Sequence, residues 1–323
     1  MTGGETLLNS NFTFHFSSLE SPTQFNLQRK MEAVGFKSVD SKKDAAFSDE
    51  NIGANDIALQ NLEYKHKLAK MLKTHSLPLL PISYTINETN YMDVLSLIER
   101  NHQDDDFIWI YKPSALNNGE QIKLFQHIND IKKLYQTTNR LGGDFVIQHY
   151  IESPHLLNGH KYTIRMFVIL TNYDGYTLYP EGYYNIGLKK YPQTQDLTDL
   201  SAHLTNEHLC DPEPNVIQMP TSQVKEFDLL MPQISNIATK VMQAFKKASP
   251  EYFSYKKQKC FDILGFDFLL DSDFNLWLLE INHGPNFPKD EPHVLKEHLY
   301  NPFWKFVVDN FVIPIAQEQL NPY

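Results

Sequence analysis

The sequence predicts an α+β protein with mostly antiparallel sheets, on three observations. A long strand reads over Lys161 to Leu170, with Tyr176 to Tyr184 as its neighbour. Cys260 to Leu270 and Leu276 to Asn282 read as a hairpin near the end of the chain. Helical patterns stand between these strand groups in an order that suits segregated helices and sheets.

From the start of the chain, Asn11 to Ser17 alternates Phe12, Phe14 and Phe16, the period of a strand. Phe25 to Phe36 carries an apolar stripe of helical period that stops at Gly35, so the two make a small N-terminal αβ lobe. The polar stretch Ser38 to Asn55 is expected as a surface connection. A helix follows over Leu62 to Thr74, ended by Pro78 and Pro81, and another over Tyr91 to Arg100 leads to an acidic turn, His102 to Asp106. Phe107 to Tyr111 is a short buried strand with Lys112 at its end. Ile128, Ile131, Leu134 and Tyr135 share a helical face, with Gly142 as the stop before the strand Phe145 to Gln148. Ser201 to Asn215 is rich in turn residues, whereas Ser222 to Ser249 is an extended amphipathic helix that Pro232 is expected to kink or split. The expected division is an N-terminal lobe over 1–60, a central lobe over 61–140 and a C-terminal lobe with a metal site over 141–323.

Composition narrows the function classes. Hydrophobic residues make up 41% and charged residues 21% of the 323, an ordinary globular balance. No stretch approaches the roughly 20 apolar residues of a membrane-spanning helix, and Met1 to Ser10 shows no secretory leader. Two cysteines, Cys210 and Cys260, fit a reducing compartment, so a cytoplasmic protein without membrane partners is expected. A formal net charge of -10 argues against nucleic acid as a partner. The main basic cluster, Lys65, Lys67, Lys70 and Lys73, lies at helical spacing, where a solvated face is the default reading.

The terminal hairpin carries the sharpest chemistry. Centring its loop between Asp273 and Phe274 sets Asp267 opposite Glu280 and Gly265 opposite Asn282, so Gly265, Asp267, Leu269, Leu278, Glu280 and Asn282 share a face. Opposed residues have Cβ atoms about 4.5–5.5 Å apart. Two carboxylates that close repel unless a cation lies between them, and hard oxygen ligands on adjacent strands suit Mg²⁺ bound to a nucleotide. A solvated hairpin face is the alternative, opposed by the apolar Phe266, Phe268, Trp277, Leu279 and Ile281. On the strand Lys161 to Leu170, Lys161, Thr163 and Arg165 share a face, two cations on an otherwise apolar strand, which suits a polyanion; snorkelling surface cations are the alternative. Lys112 adds a third cation before the polar loop Asn117-Asn118-Gly119-Glu120. The chain has no P-loop or Rossmann fingerprint and no GxSxG. His203, His208 and Cys210 lack the partners of a zinc site and read as structural.

Five segments together resemble the tubulin tyrosine ligase-like family: FIWIYKPS (Phe107 to Ser114), VIQHYIESPHLLNGHKYTIR (Val146 to Arg165), LYPEG (Leu178 to Gly182), HLTN (His203 to Asn206) and FDILGFDFLLDSDFNLWLLEINHGP (Phe261 to Pro285). They occur in the family's order and spacing, from about Lys65 to Pro285. The resemblance implies an ATP-grasp fold, two antiparallel-sheet lobes clamping ATP behind a small N-terminal lobe. It further implies an ATP- and Mg²⁺-dependent ligase that adds a free amino acid to a protein acceptor through an acylphosphate. Carried over by position, Lys65, Lys112 and Lys161 contact the nucleotide, Gln148 and Ile151 lie at the adenine hinge, and His149 stands where the family often has Lys. Arg165 handles the γ-phosphate or the reacting carboxylate, Asn206 lies beside the phosphates, and Asp267, Glu280 and Asn282 match the metal ligands. Lys112, Arg165 and Glu280 are the expected catalytic groups.

Two positions depart from the family. Thr163 replaces an Asp that follows the motif lysine, and Pro180 replaces the arginine that holds the free amino acid, a role open to Lys189 or Lys190. These departures support one alternative, an ATP-binding pseudoenzyme that acts as an interaction module, and the fold alone leaves open a second, an enzyme that transfers phosphate or nucleotide to a protein. The acidic balance, 39 acidic against 29 basic residues, sets the expectation that tubulin tails are not the favoured acceptor.

Overall fold

The computed structural model describes residues 12–103, 105–137, 141–192, 196–210, 212–254, 258–289 and 292–320. Met1 to Asn11, Asp104 of the acidic turn and the side chain of Cys210 lie outside them. Thr13–His15 (β1), Pro22–Ala33 (α1), Lys37–Ser38 (β2) and Phe47–Ser48 (β3) form the N-terminal unit, with a parallel sheet of order β2-β1-β3. The stretch Ser38 to Asn55 is therefore more than a connection. Its Phe47 is buried and stacks on Phe261, ring centroids 6.2 Å apart, but a two-residue strand is too short to show alternation in a polar sequence.

The helix expected over Leu62 to Thr74 is two, Asp56–Glu63 (α2) and Lys65–Thr74 (α3). Tyr64 between them is extended, φ −77° and ψ 116°, which ends one helix and places Lys65 in the first turn of the next. Then come Ser83–Ile86 (β4), Tyr91–Asn101 (α4), Trp109–Pro113 (β5), Lys123–Phe125 (β6), Ile128–Gln136 (α5) and Phe145–His149 (β7). The four strands make an antiparallel sheet of order β4-β7-β5-β6, covered by α4 and α5 around Ile98, Ile131 and Ile147. Because β7 is an inner strand here, the chain changes sheet after His149 rather than at residue 140.

The larger sheet uses Leu156–Leu157 (β8), His160–Thr171 (β9) and Gly175–Lys190 (β10). After the short helix Leu200–His203 (α6) come Val216–Pro220 (β11), the helix Met231–Ala248 (α7), Phe261–Leu270 (β12) and Leu276–His283 (β13). Its order is β11-β10-β9-β12-β13, with β8 paired to β9. Pro232 sits in the first turn of α7, where its missing N–H costs nothing, so it starts that helix, and the preceding Lys225–Leu229 is a separate 3-10 turn. One face of this sheet buries Ile164, Met166, Val168, Phe266 and Phe268 under α7. The opposite face is divided. Phe167, Ile169, Phe261 and Ile263 pack against the N-terminal unit and the last helices, Asn301–Val307 (α8) and Ile313–Leu320 (α9). The other end of that face carries Lys161, Thr163 and Arg165, which no apolar layer can cover, and a cleft opens there toward the four-stranded sheet. The fold class is α+β as expected. Among the described residues no helix is long and apolar enough to cross a membrane.

Candidate functional site

Sheet register builds the cleft's floor. Tyr183 on β10 pairs with Arg165 on β9, Arg165 with Asp267 on β12, and Asp267 with Glu280 on β13, which lays four polar side chains in one rank across four strands. The next rank is Gln218, Asn185 and Thr163 on β11, β10 and β9. The hairpin pairs as the sequence predicts from Gly265 with Asn282 to Asp267 with Glu280. A bulge then shifts the register, so Phe268 faces Leu278. Leu278 consequently turns into the apolar core, and Leu279 lines the cleft in its place, which corrects the expected face.

Arg165 donates through Nε to Asp267 Oδ1 and through Nη2 to Asp267 Oδ2 at 2.7 Å, while Asn282 Nδ2 donates to the same Oδ2 at 2.9 Å. Gly265 makes room for this: a Cβ there would lie 2.9 Å from Arg165 Cδ and 3.0 Å from its Nη1. Glu280 pairs with Lys65 Nζ at 3.0 Å, and that ammonium also donates to the Leu116 carbonyl at 2.9 Å. Burial works against the ionised Glu280, but Lys65 and Lys112 outweigh it and hold its carboxyl down at about 2. Burial pushes the Asp267 carboxyl up, opposed by Arg165 and reinforced by adjacent Glu280.

Two lysines from the two sheets close the cleft differently, because neither contacts a carboxylate among the described residues. Lys112 on β5 is 8% exposed and donates to Gln148 Oε1 at 2.8 Å. Lys161 on β9 is 5% exposed and donates to the Tyr150 hydroxyl oxygen at 2.8 Å, its ammonium 4.2 Å from that ring's centroid. Burial lowers Lys112 to about 8, with Glu280 pulling the other way. It lowers Lys161 to about 7, helped by the charge of Lys112.

Lys65, Lys112, Gln148, His149, Ile151, Lys161, Thr163, Arg165, Asn206, Asp267, Glu280 and Asn282 all line this one cleft of about 300 Å³. Lys65 is set apart from Lys70 and Lys73, which are exposed on α3. Thr163 bonds Thr205 through the two hydroxyls at 2.9 Å, and the His149 ring lies 4.0 Å from that of Phe107. Pro180 is exposed and Lys189 pairs with Asp199 at 2.7 Å, so neither they nor Lys190 lines the cleft. His203 is buried and bonded to Tyr150 and to the Asp196 carbonyl. The sequence reading missed Tyr150, Tyr183, Asn185, Glu207 and Gln218. Alternation along β10 from a known register with β9 identifies Tyr183 and Asn185, but that register is set by bulges.

The family model described as the tubulin-tyrosine ligase family matches residues 51–320. The chain is 27% identical over 234 residues to a probable beta-tubulin polyglutamylase of Tetrahymena thermophila, covering 62% of this chain. It is 30% identical over 262 residues to human tubulin polyglutamylase TTLL7, 69% of this chain, and 28% identical over 214 residues to human inactive polyglycylase TTLL10, 56% of this chain. The matched regions span 19%, 28% and 32% of those relatives' own lengths.

Proposed function

This chain belongs to the tubulin-tyrosine ligase family, with its α+β ATP-grasp fold, and we propose that its cleft binds magnesium and ATP and joins a free amino acid to a protein carboxylate. One observation carries the reading: Lys112 and Lys161 are buried, face one cleft from two sheets, and among the described residues have only neutral hydrogen-bond partners. Buried cations demand counter-charge, and a polyphosphate lying between them supplies it.

In this reading the lobes meet at the cleft, Lys65, Lys112 and Lys161 hold the phosphates, and Gln148, His149 and Ile151 border the base. Asp267, Glu280 and Asn282 would hold Mg²⁺. Among the described residues no group of three or more His, Cys, Asp and Glu is placed to hold an ion by itself, so a magnesium ion there would share its ligands with the nucleotide phosphates and water. Bound ATP would supply the phosphoryl group that activates the acceptor carboxylate as an acylphosphate, leaving ADP, and attack by the amino acid's amine would release phosphate as the amide forms. Arg165, fixed by Asp267, orients the reacting carboxylate, and Asn206 steadies the phosphates.

The expectation against tubulin gives way here. Two of the relatives above are named for tubulin, and a net charge of -10 describes the whole molecule, whereas screening limits what an acidic tail senses to about 8 Å. Tubulin stands among the candidate acceptors. Intact-mass spectrometry of purified tubulin and of lysate proteins, after incubation with ATP, Mg²⁺ and mixed amino acids, tests the reading. Residue-sized increments that fall by roughly 100-fold or more in Glu280→Gln are expected. Phosphate- or nucleotide-sized increments would replace ligation by another transfer. ATP binding with no increment would leave a binding module, as the name of the inactive relative and Thr163 and Pro180 here allow.

A further inference from the structure

We propose that Glu207, backed by Gln218 and Asn185, receives the amine of the incoming amino acid and disfavours a donor with a side-chain carboxylate. A small neutral amino acid such as glycine is then preferred over glutamate. This rests on the ligase reading and adds the donor's identity.

The cleft sorts its charges. Lys65, Lys112, Lys161 and Arg165 stand on the side of the phosphates and metal ligands, and each has a bonded partner. Glu207 follows Asn206 and lines the same cleft. Its Oε2 accepts from Gln218 Nε2 at 3.2 Å, and the same amide nitrogen donates to Asn185 Oδ1 at 3.0 Å. Gln218 Oε1 has no hydrogen-bond partner. Among the described residues no lysine, arginine or histidine forms an ion pair with Glu207. The Asn215 N–H donates to the Glu207 carbonyl at 3.1 Å, which fixes the backbone that carries the carboxylate.

A carboxylate with no cationic partner among the described residues, held by the Gln218 carboxamide that Asn185 steadies in turn, suits an ammonium group. The donor's α-carboxylate then turns toward Arg165, whose guanidinium keeps donors beyond those given to Asp267. Among the described residues the lysines and arginine that line the cleft are Lys65, Lys112, Lys161 and Arg165, and with phosphates and the α-carboxylate bound none of them remains for a second carboxylate. Pro180 is exposed outside the cleft and Lys189 is engaged by Asp199. A glutamate side chain placed beside half-buried Glu207 meets like charge, which salt screens less than at an exposed surface.

Calorimetric titration of glycine and of glutamate into the full chain loaded with Mg²⁺ and a non-hydrolysable ATP analogue tests this, beside competition between labelled glycine and labelled glutamate for transfer. Glycine is expected to bind and to transfer better by at least about tenfold. Glu207→Lys should reverse the preference, and Glu207→Gln, of the same size, should narrow it even where the lysine variant folds poorly. Glutamate transferred as well as glycine, with a ratio unmoved in Glu207→Gln, overturns the selectivity and leaves the ligase reading standing. Binding of neither amino acid together with no transfer of any, in a chain that still takes up the ATP analogue, overturns both.

Discussion

Lys161 sits beneath two aromatic rings, its ammonium 4.2 Å from the Tyr150 centroid and 5.7 Å from that of Tyr191. The direction of its hydrogen-bond chain follows from a single carbonyl. His203 Nε2 lies 2.7 Å from the Asp196 carbonyl oxygen, which only accepts, so Nε2 carries the proton. In the neutral ring Nδ1 then accepts from the Tyr150 hydroxyl at 3.0 Å, and the hydroxyl oxygen is left to accept from Lys161. Burial holds His203 below its ordinary range, which preserves this order near neutrality. With Lys161 lowered to about 7 and Lys112 to about 8, both bind fewer protons in the nucleotide-free fold than in the unfolded chain across pH ~7 to ~10. Stability of the free protein should accordingly rise with pH in that window. Phosphates reverse the shift, so ATP binding at pH ~8 should take up protons. Calorimetry in buffers of different ionisation enthalpy reads the uptake, which should shrink in Lys161→Ala; proton release in the parent protein would sink the assignment.

At the level of elements, register decides what was legible. The hairpin of β12 and β13 could be aligned by centring its loop between Asp273 and Phe274, and this put Asp267 against Glu280. The bulge beyond them was hidden, since Trp277, Leu278 and Leu279 are all apolar and carry no phase. The break at Tyr64 was hidden for a similar reason: apolar spacing runs on through α2 and α3 and only the backbone angle separates them. β10 shows the same limit, with shifts between Leu178 and Gly182 and again between Ile186 and Lys190. Two glycines on these elements should behave differently. A Cβ at Gly182 would stand 2.0 Å from the Arg165 carbonyl oxygen, which is backbone and cannot yield without parting the strands. Gly182→Ala should therefore cost about 1–3 kcal/mol and lower the melting temperature by several degrees. At Gly265 the neighbour is the Arg165 side chain, so Gly265→Ala should melt nearly as the parent while turnover drops through a displaced guanidinium. Scanning calorimetry beside a transfer assay separates the two, and equal melting losses would show that the Arg165 side chain is as fixed as the backbone.

For the whole molecule, the polar end of a six-stranded sheet faces a four-stranded one, and α3 links them: the Lys65 N–H donates to the Ser114 carbonyl at 3.2 Å while its ammonium reaches Glu280. Composition alone could not show this division, because net charge and hydropathy average over a face that is half apolar core and half open cleft. Lys112 and Gln148 belong to the smaller sheet, whereas Lys161, Arg165, Asp267 and Glu280 belong to the larger. A nucleotide that contacts both sheets binds the folded chain and not the unfolded one, so at a hundred times its dissociation constant it should add about 2.7 kcal/mol of stability. The melting temperature should rise by several degrees in consequence. Because each sheet supplies one cleft lysine with no acidic partner among the described residues, Lys112→Ala and Lys161→Ala should each diminish the rise at fixed nucleotide concentration. Their effects should not add, since losing either anchor frees the phosphates from the other sheet. Thermal scans of the parent, both single variants and the double variant, with and without Mg²⁺ and ATP, make the measurement. Full retention of the rise in Lys112→Ala would mean that the smaller sheet takes no part in holding the phosphates.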